Sequence, residues 1–133
     1  MALVIFKHKE VDFIPFSERG QENPFTVTLR PLDSRLISKL DDGYVTFVND
    51  EGVTLQQGTY NLKAVKYGIV SWKNLNDEDG KEYNVTKNSK GEILDECIGM
   101  LPSNIVSELA TAIISLSKYP DSAEALLGIV VAK

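Results

Sequence analysis

The chain has 133 residues, of which 43% are hydrophobic and 25% are charged, and this composition predicts one soluble globular domain without a membrane-spanning segment. The net charge of −5 and the scattered lysines and arginines argue against a nucleic-acid partner, which requires clustered basic residues. The single cysteine excludes an intramolecular disulfide, and with no signal-peptide pattern present we expect a cytoplasmic protein.

The first half of the sequence predicts a small antiparallel sheet near the N-terminus. Apolar runs at Leu3–Phe6 and Val11–Phe16 have the length of strands, and the polar segment Ser17–Pro24 that follows them is typical of a mobile loop. In Phe25–Arg30 apolar side chains alternate with polar ones, which predicts a strand with one buried face. We therefore expect these segments to pair within one sheet.

A short helix and a β-hairpin are predicted next. Asp33 is a suitable N-cap for a helix that ends at Gly43 and carries three apolar residues, Leu36, Ile37 and Leu40. Two strand-forming runs, Tyr44–Val48 and Val53–Leu55, then flank a turn that contains a glycine. This arrangement is typical of a hairpin.

Two further helices are predicted in the middle of the chain. Spacings of three and four indicate a first helix that carries Leu62, Val65, Ile69 and Trp72. After a polar turn at Asn74–Gly80, Ser89 and Glu92 match the S-x-x-E capping box, which predicts the start of a second helix. Pro102 ends that helix, and its inward residues are Ile93, Leu94, Cys97, Ile98 and Leu101.

The segment Ser103–Lys118 is the strongest helix in the sequence, and its apolar surface is unusually wide. Val106, Ala110 and Ile114 extend the main apolar stripe, so the polar residues are confined to a narrow line. Such a helix is typical of the centre of a core, but one of its flanks could also dock a helix of a partner. The sequence leaves both interpretations open.

We expect a single α+β domain over residues 1–120, with a helical C-terminal half and no internal repeat, followed by an apolar tail. The tail, residues 121–133, includes Leu126 and Leu127 and is too apolar to favour water. It either packs on its own domain or is ordered by another chain. Together with the wide apolar surface of Ser103–Lys118, the tail predicts self-association.

The sequence offers no recognisable catalytic, cofactor-binding or metal site. Its only histidine, His8, lies among charged residues, and its only cysteine, Cys97, lies in an apolar pattern that indicates a buried, inert thiol. Zinc sites need several such ligands. A calcium loop at Asp77–Gly80 fails because Leu75 and Thr86 would occupy the first and twelfth positions. We therefore expect neither enzymatic activity nor a cofactor.

Three segments resemble the tail assembly chaperones of long-tailed bacteriophages and prophages. They are a strand that leads into a short helix, a tryptophan element that ends in D-x-D-G, and the start of the last helix, at Phe25–Asp33, Val65–Gly80 and Leu101–Leu109. The resemblance extends from Phe25 to about Lys118. It includes neither the first strand-forming residues, Met1–Phe16, nor the hairpin, Tyr44–Leu55.

The resemblance implies a non-enzymatic protein that covers the long helical tape measure protein in the cytoplasm of the bacterial host until tail tube subunits replace it. Such a protein is not part of the mature virion and is commonly made in two lengths by a translational frameshift. The tape measure protein is the expected partner, and the tail tube protein is a second candidate. The alternatives are a structural tail component, such as a tube or connector subunit, and an unrecognised ligand-binding module.

Six residues are candidates for contacting a partner: Trp72, Val106, Ala110, Ile114, Leu126 and Leu127. Trp72 is either a core anchor at the end of a helix or a binding hot spot, because tryptophan contributes strongly in both settings. The other five belong to the wide apolar helix and to the tail.

Overall fold

The computed structural model describes residues 10–47, 53–55, 57–118 and 130–131, and it confirms the α+β class. A four-stranded antiparallel sheet that begins near the N-terminus packs on helices, and a separate hairpin follows the first helix. The elements in chain order are β1 (Val11–Phe13), a 3-10 turn (Phe16–Glu18), β2 (Thr26–Leu29), α1 (Ser34–Tyr44), β3 (Val45–Phe47), β4 (Val53–Leu55), α2 (Gln57–Gly68), β5 (Ile69–Lys73), α3 (Asp95–Gly99), α4 (Ser103–Lys118) and β6 (Val130–Val131).

The sheet has the strand order β5–β2–β1–β6, and all neighbouring strands are antiparallel. Val11 and Phe13 of β1 are buried, as are the two β2 residues that they face. On the opposite side of the sheet the hydroxyl of Thr28 donates a hydrogen bond of 2.8 Å to the carboxylate of Asp12. One face of the sheet therefore packs on the core while the other carries polar side chains, as is common in antiparallel sheets.

The last strand of the sheet comes from the C-terminal tail. β6 pairs with the first two residues of β1, so this part of the tail joins the domain's own sheet. The tail residues Leu126 and Leu127 lie outside the described residues, and so does the first apolar run, Leu3–Phe6.

The segment Ser17–Pro24, expected to be a mobile loop, is held by hydrogen bonds at both ends. The backbone N–H of Phe16 donates to the carboxylate of Glu108 on α4 over 2.7 Å. The carboxylate of Glu18 accepts the backbone N–H of Phe25 over 3.1 Å. These bonds attach the loop to α4 and to the residue before β2. The side chain of Phe16 is 77% exposed.

The structure confirms α1 and the hairpin that follows it. The carboxylate of Asp33 accepts a hydrogen bond of 2.9 Å from the backbone N–H of Leu36, and this bond caps the helix and lowers the pKa of Asp33. α1 continues one residue beyond Gly43. β3 and β4 then form an antiparallel pair, whose connecting turn lies outside the described residues.

The predicted helix that continues to Trp72 is wrong in its second half, because α2 ends at Gly68 and β5 follows at once. Two adjacent residues of β2 pair with β5 residues that are two positions apart, so Val70 is an extra residue that forms a bulge. The bulge brings Ile69 and Trp72, three residues apart, to the same buried side of the strand. A bulged strand thus produces the spacing that is typical of a helix.

The helix predicted from the capping box at Ser89 and Glu92 is also wrong at its start, because α3 begins only at Asp95. The region before α3 is a tight turn in which Gly91 has a φ of +79°. The side-chain oxygen of Asn88 accepts two backbone N–H groups there, at 2.8 and 3.1 Å. One of them belongs to Glu92 and is the amide that the serine of a capping box would bind.

α4 has the predicted bounds, and it occupies the centre of the core. Its buried residues come from the main apolar stripe and from the flank beside it: Ile105, Val106, Leu109, Ala110, Ala112, Ile113 and Leu116. The wide apolar surface of α4 is therefore explained by packing within the domain.

α2 approaches α4 very closely at Gly68. A Cβ atom at this position would lie 2.5 Å from the Cδ1 atom of Ile113, which is closer than real Cβ contacts allow. The carbonyl of Gly68 also accepts a hydrogen bond of 2.8 Å from the backbone N–H of Arg30, the residue after β2. A single residue without a side chain therefore links both helices to the sheet.

We expect Gly68→Ala to lower the free energy of unfolding by about 1–3 kcal/mol, because an added methyl group overpacks a filled core. Gly58→Ala is the matched control in the same helix, where nothing lies within 4 Å of the new Cβ atom. The control should leave stability unchanged or raise it by up to about 1 kcal/mol. Urea unfolding of both variants measures the difference, and equal effects would contradict the close packing at Gly68.

Candidate functional site

The structure does not gather the predicted partner-binding residues on one accessible surface. Three of them, Trp72, Val106 and Ala110, are buried, with exposed fractions of 8% or less. Ile114 is half-buried. The remaining two, Leu126 and Leu127, lie outside the described residues. A partner could reach the three buried side chains only if the domain opened, so they do not form a docking surface in this conformation.

Trp72 connects the sheet to the segment that follows it. Its indole ring packs edge-on against Phe25 and stacks on Tyr83, with ring centroids 6.0 and 6.4 Å apart. The indole N–H donates a hydrogen bond of 2.7 Å to the backbone carbonyl of Tyr83. Burial and a satisfied N–H support the interpretation of Trp72 as a core anchor.

Two turns of the same design lie between β5 and α3. Asp77 and Asn88 each open a turn whose fourth residue, Gly80 or Gly91, has a φ near +80°. In each turn the side-chain oxygen of the first residue accepts two backbone N–H groups, and its carbonyl accepts the N–H of the glycine. The structure thus contains a local repeat that the sequence analysis did not detect.

These turns are connected to the core through Cys97. The thiol is 2% exposed, and its sulfur accepts the backbone N–H of Thr86 at 3.4 Å and the hydroxyl of Tyr83 at 3.8 Å. The hydrogen bond to Cys97 is the main reason why the pKa of Tyr83 is raised. Cys97 therefore anchors the segment before α3, in agreement with the expected buried thiol.

The side chain of Asp77 binds the backbone of its own turn. Its Oδ1 atom accepts hydrogen bonds of 2.9 Å from the backbone N–H groups of Asp79 and Lys81. Across the described ranges, no group of three or more histidine, cysteine or acidic side chains is placed to hold a metal ion. The turn is accounted for by these hydrogen bonds alone.

An open groove of about 490 Å³ lies between α2 and α3. We call it the α2–α3 groove, and its lining residues are Thr59, Leu62, Lys63, Lys66, Asp95, Ile98 and Gly99. The lining residues of each helix are three or four positions apart, so one stripe of α2 and one stripe of α3 form the two walls. The volume is within the range of clefts that bind ligands.

The two walls of the α2–α3 groove differ in the exposure of their apolar side chains. Ile98 is 3% exposed, but Leu62 on the opposite wall is 50% exposed. Met100, which follows the α3 wall in the sequence, is 63% exposed. Within the groove, Leu62 therefore provides the exposed apolar surface, and polar side chains border it.

The groove is not apparent from the sequence, because the spacing of three and four puts Leu62 on one stripe with Val65 and other residues that are buried. The buried residues of α2 are Ala64, Val65 and Gly68, so Val65 faces the core as its spacing indicates, whereas Leu62 lies at the flank of the core-facing side. The signal that could have revealed the groove is a stripe in which one leucine stands among polar residues: Thr59, Leu62, Lys63 and Lys66.

Charged side chains border the α2–α3 groove. The Nζ atom of Lys66 lies 3.5 Å from an Oδ1 atom of Asp95, and this ion pair connects the two walls. The side chain of Asp95 is 83% exposed, so the pair contributes only about 0–1 kcal/mol to stability. Lys63 forms no ion pair within the described part of the chain.

A second groove, of about 460 Å³, is lined by polar residues of α1, α2 and α4: Asp41, Tyr44, Gln57, Tyr60 and Lys118. The hydroxyl of Tyr44 donates to Gln57 over 2.8 Å, and the hydroxyl of Tyr60 donates to Asp41 over 3.3 Å. Burial and the nearby Asp41 carboxylate raise the pKa of Tyr60. Because these lining side chains bind one another, we interpret them as contacts that hold α1, α2 and α4 together.

Comparison with known proteins does not place the chain in a family. No family model matches it, and no curated protein and no solved structure matches it. None of the helices among the described residues is long and apolar enough to cross a membrane.

We expect Trp72→Ala to lower the free energy of unfolding by about 3–5 kcal/mol, the usual cost of truncating a buried aromatic residue. Trp72→Phe should cost about 1–3 kcal/mol, because it leaves the Tyr83 carbonyl without its donor. Denaturant unfolding of both variants tests the core assignment. A Trp72→Ala variant that unfolds like the wild type but no longer binds a partner would identify Trp72 as an interface residue.

Proposed function

We propose that the chain is a tail assembly chaperone that binds the tape measure protein of a long-tailed phage through the α2–α3 groove. The observation that carries the proposal is the half-exposed Leu62 opposite the buried Ile98, in a groove between two helices. Such a groove suits a binding mode in which an amphipathic helix lays its apolar face between two helices. The sequence resemblance suggests the helical partner.

The role of a chaperone for the tape measure protein requires weak, reversible covering of apolar surface, and the α2–α3 groove suits this requirement. A long helical tape measure protein exposes apolar surface that would aggregate unless it is covered before the tail tube forms. The apolar contact offered by Leu62 and Ile98 is small, so one copy binds weakly and reversibly. Many copies along the client would cover it, and the net charge of −5 on each copy would keep the covered client soluble.

In this role the protein binds without catalysis or a cofactor, in the cytoplasm of the bacterial host, and is not retained in the mature virion. Weak individual contacts suit a cover that tail tube subunits later displace. Self-association, which is also part of this proposal, would mainly use surfaces other than α4, because the apolar residues of α4 are buried except for the half-buried Ile114.

The proposal predicts that Leu62→Lys abolishes client binding without unfolding the domain. The tape measure protein of the same phage genome is co-expressed with the wild-type chain or with the variant, and the soluble fraction of the tape measure protein is measured. The wild type should keep it soluble, and Leu62→Lys should return it to the level seen without the chain. The variant should keep its unfolding free energy within about 0.5 kcal/mol, as exposed substitutions do.

Phe16→Ser is the matched control, because it removes another large exposed apolar side chain that does not line the groove. With this control variant the tape measure protein should stay as soluble as with the wild type. Equal solubility of the tape measure protein with Leu62→Lys and with the wild type would contradict the assigned groove. If the purified chain forms rings or tubes in negative-stain micrographs, the alternative of a structural tail component is favoured instead.

A further inference from the structure

The two walls of the α2–α3 groove carry opposite charges. The α2 wall contributes two lysines, Lys63 and Lys66, whereas the α3 wall contributes Asp95, which Glu96 follows in the sequence. Both acidic residues of α3 are exposed. The surface of an acidic protein therefore includes a local cationic wall beside the exposed Leu62.

The two lysines differ in how they are engaged. Lys66 is paired with Asp95 across the groove at 3.5 Å, and its side chain is 29% exposed. Lys63 lies next to Leu62 on the same wall and has no ion-pair partner among the described residues. A carboxylate that enters the groove along α2 could therefore pair with Lys63 directly. At Lys66 the same carboxylate would have to compete with Asp95.

The spacing of the wall residues indicates the shape of the occupant. The α2 wall extends from Thr59 to Lys66, which corresponds to about two turns of helix and about 10 Å. Apolar side chains of a docked helix at positions i and i+3 or i+4 would lie between Leu62 and Ile98. Residues on the edge of that helix facing α2 would then lie beside Lys63 and Lys66.

We infer that the α2–α3 groove selects a partner helix that carries carboxylates along the edge facing α2, and that Lys63 is the main specificity-determining residue. The inference rests on the proposed role of this groove as the docking surface for a helix. Charge complementarity with the α2 wall favours an acidic edge, and Asp95 disfavours carboxylates on the other edge. A second copy of the chain is a poor occupant, because the apolar residues of its longest described helix, α4, are buried except for the half-buried Ile114.

Two synthetic peptides test this inference against the full chain. Both form an amphipathic helix of about four turns with the same leucine stripe, and they differ only in one edge, which carries glutamates in one peptide and glutamines in the other. The wild type should bind the glutamate peptide about two- to fivefold more tightly at low ionic strength. The preference opposes the protein's net charge of −5, so it cannot arise from overall attraction. It should vanish in about 1 M salt, where the Debye length is about 3 Å.

Three variants assign the preference to residues. Lys63→Gln should remove it, and Asp95→Asn should increase it by releasing Lys66. Lys39→Gln is the control, because it removes an exposed lysine on α1 that does not line the groove. This control should keep the wild-type preference. Circular dichroism spectra and melting of the three variants verify that each remains folded.

The outcomes separate this inference from the proposed function. Equal affinity for the two peptides, or a preference that survives Lys63→Gln, would overturn the role of Lys63 while the groove could still dock helices. If neither peptide binds although the tape measure protein is retained, the inference is wrong and the client binds elsewhere. If the peptides show the expected preference but the tape measure protein is not retained, the inference stands and the proposed client is wrong.

Discussion

At Gly68 the backbone of α2 lies directly against the Ile113 side chain of α4, with no room for a Cβ atom between them. The same residue ends the helix, accepts the N–H of Arg30 beside β2, and precedes the strand that completes one side of the sheet. The position of the sheet relative to the helices therefore depends on this contact. Because it fixes one side of α2 against the core, the flank that carries Leu62 is presented beside α3 to form the groove.

Those elements that have a single strong local signal could be predicted from the sequence. α4 has the bounds that its periodicity indicates, since Pro102 precedes it and its apolar residues recur without interruption. Asp33 caps α1 as expected, because an aspartate before an apolar helical pattern has few competing roles. The alternation within Phe25–Arg30 identifies β2 for a similar reason: half-burial imposes a period of two. In these cases local preference and tertiary packing favour the same structure.

The remaining errors arise where two structures share one pattern. Ile69 and Trp72 have helical spacing, but a bulge that depends on pairing with β2 produces it, and no local signal reports that pairing. Ser89 and Glu92 match a capping box, yet Asn88 binds the amide that decides between helix and turn. The candidate site was missed for a related reason. Whether Leu62 faces the core or the surface depends on how α2 packs, and that orientation is determined at Gly68 by a residue of α4.

The pairing of β6 with β1 has a consequence for how the domain is completed. Val11 and Val131 are partners in the sheet although they are 120 positions apart in the sequence. Closing a loop of this length costs more conformational entropy than any hairpin in the fold, and contacts so distant in sequence slow folding. While the chain is being synthesised, β1 can pair with β2 long before β6 leaves the ribosome. During that interval the edge of β1 that faces β6 lacks this partner strand, and it is available to the exposed strands of neighbouring nascent chains until Val130 and Val131 pair with it.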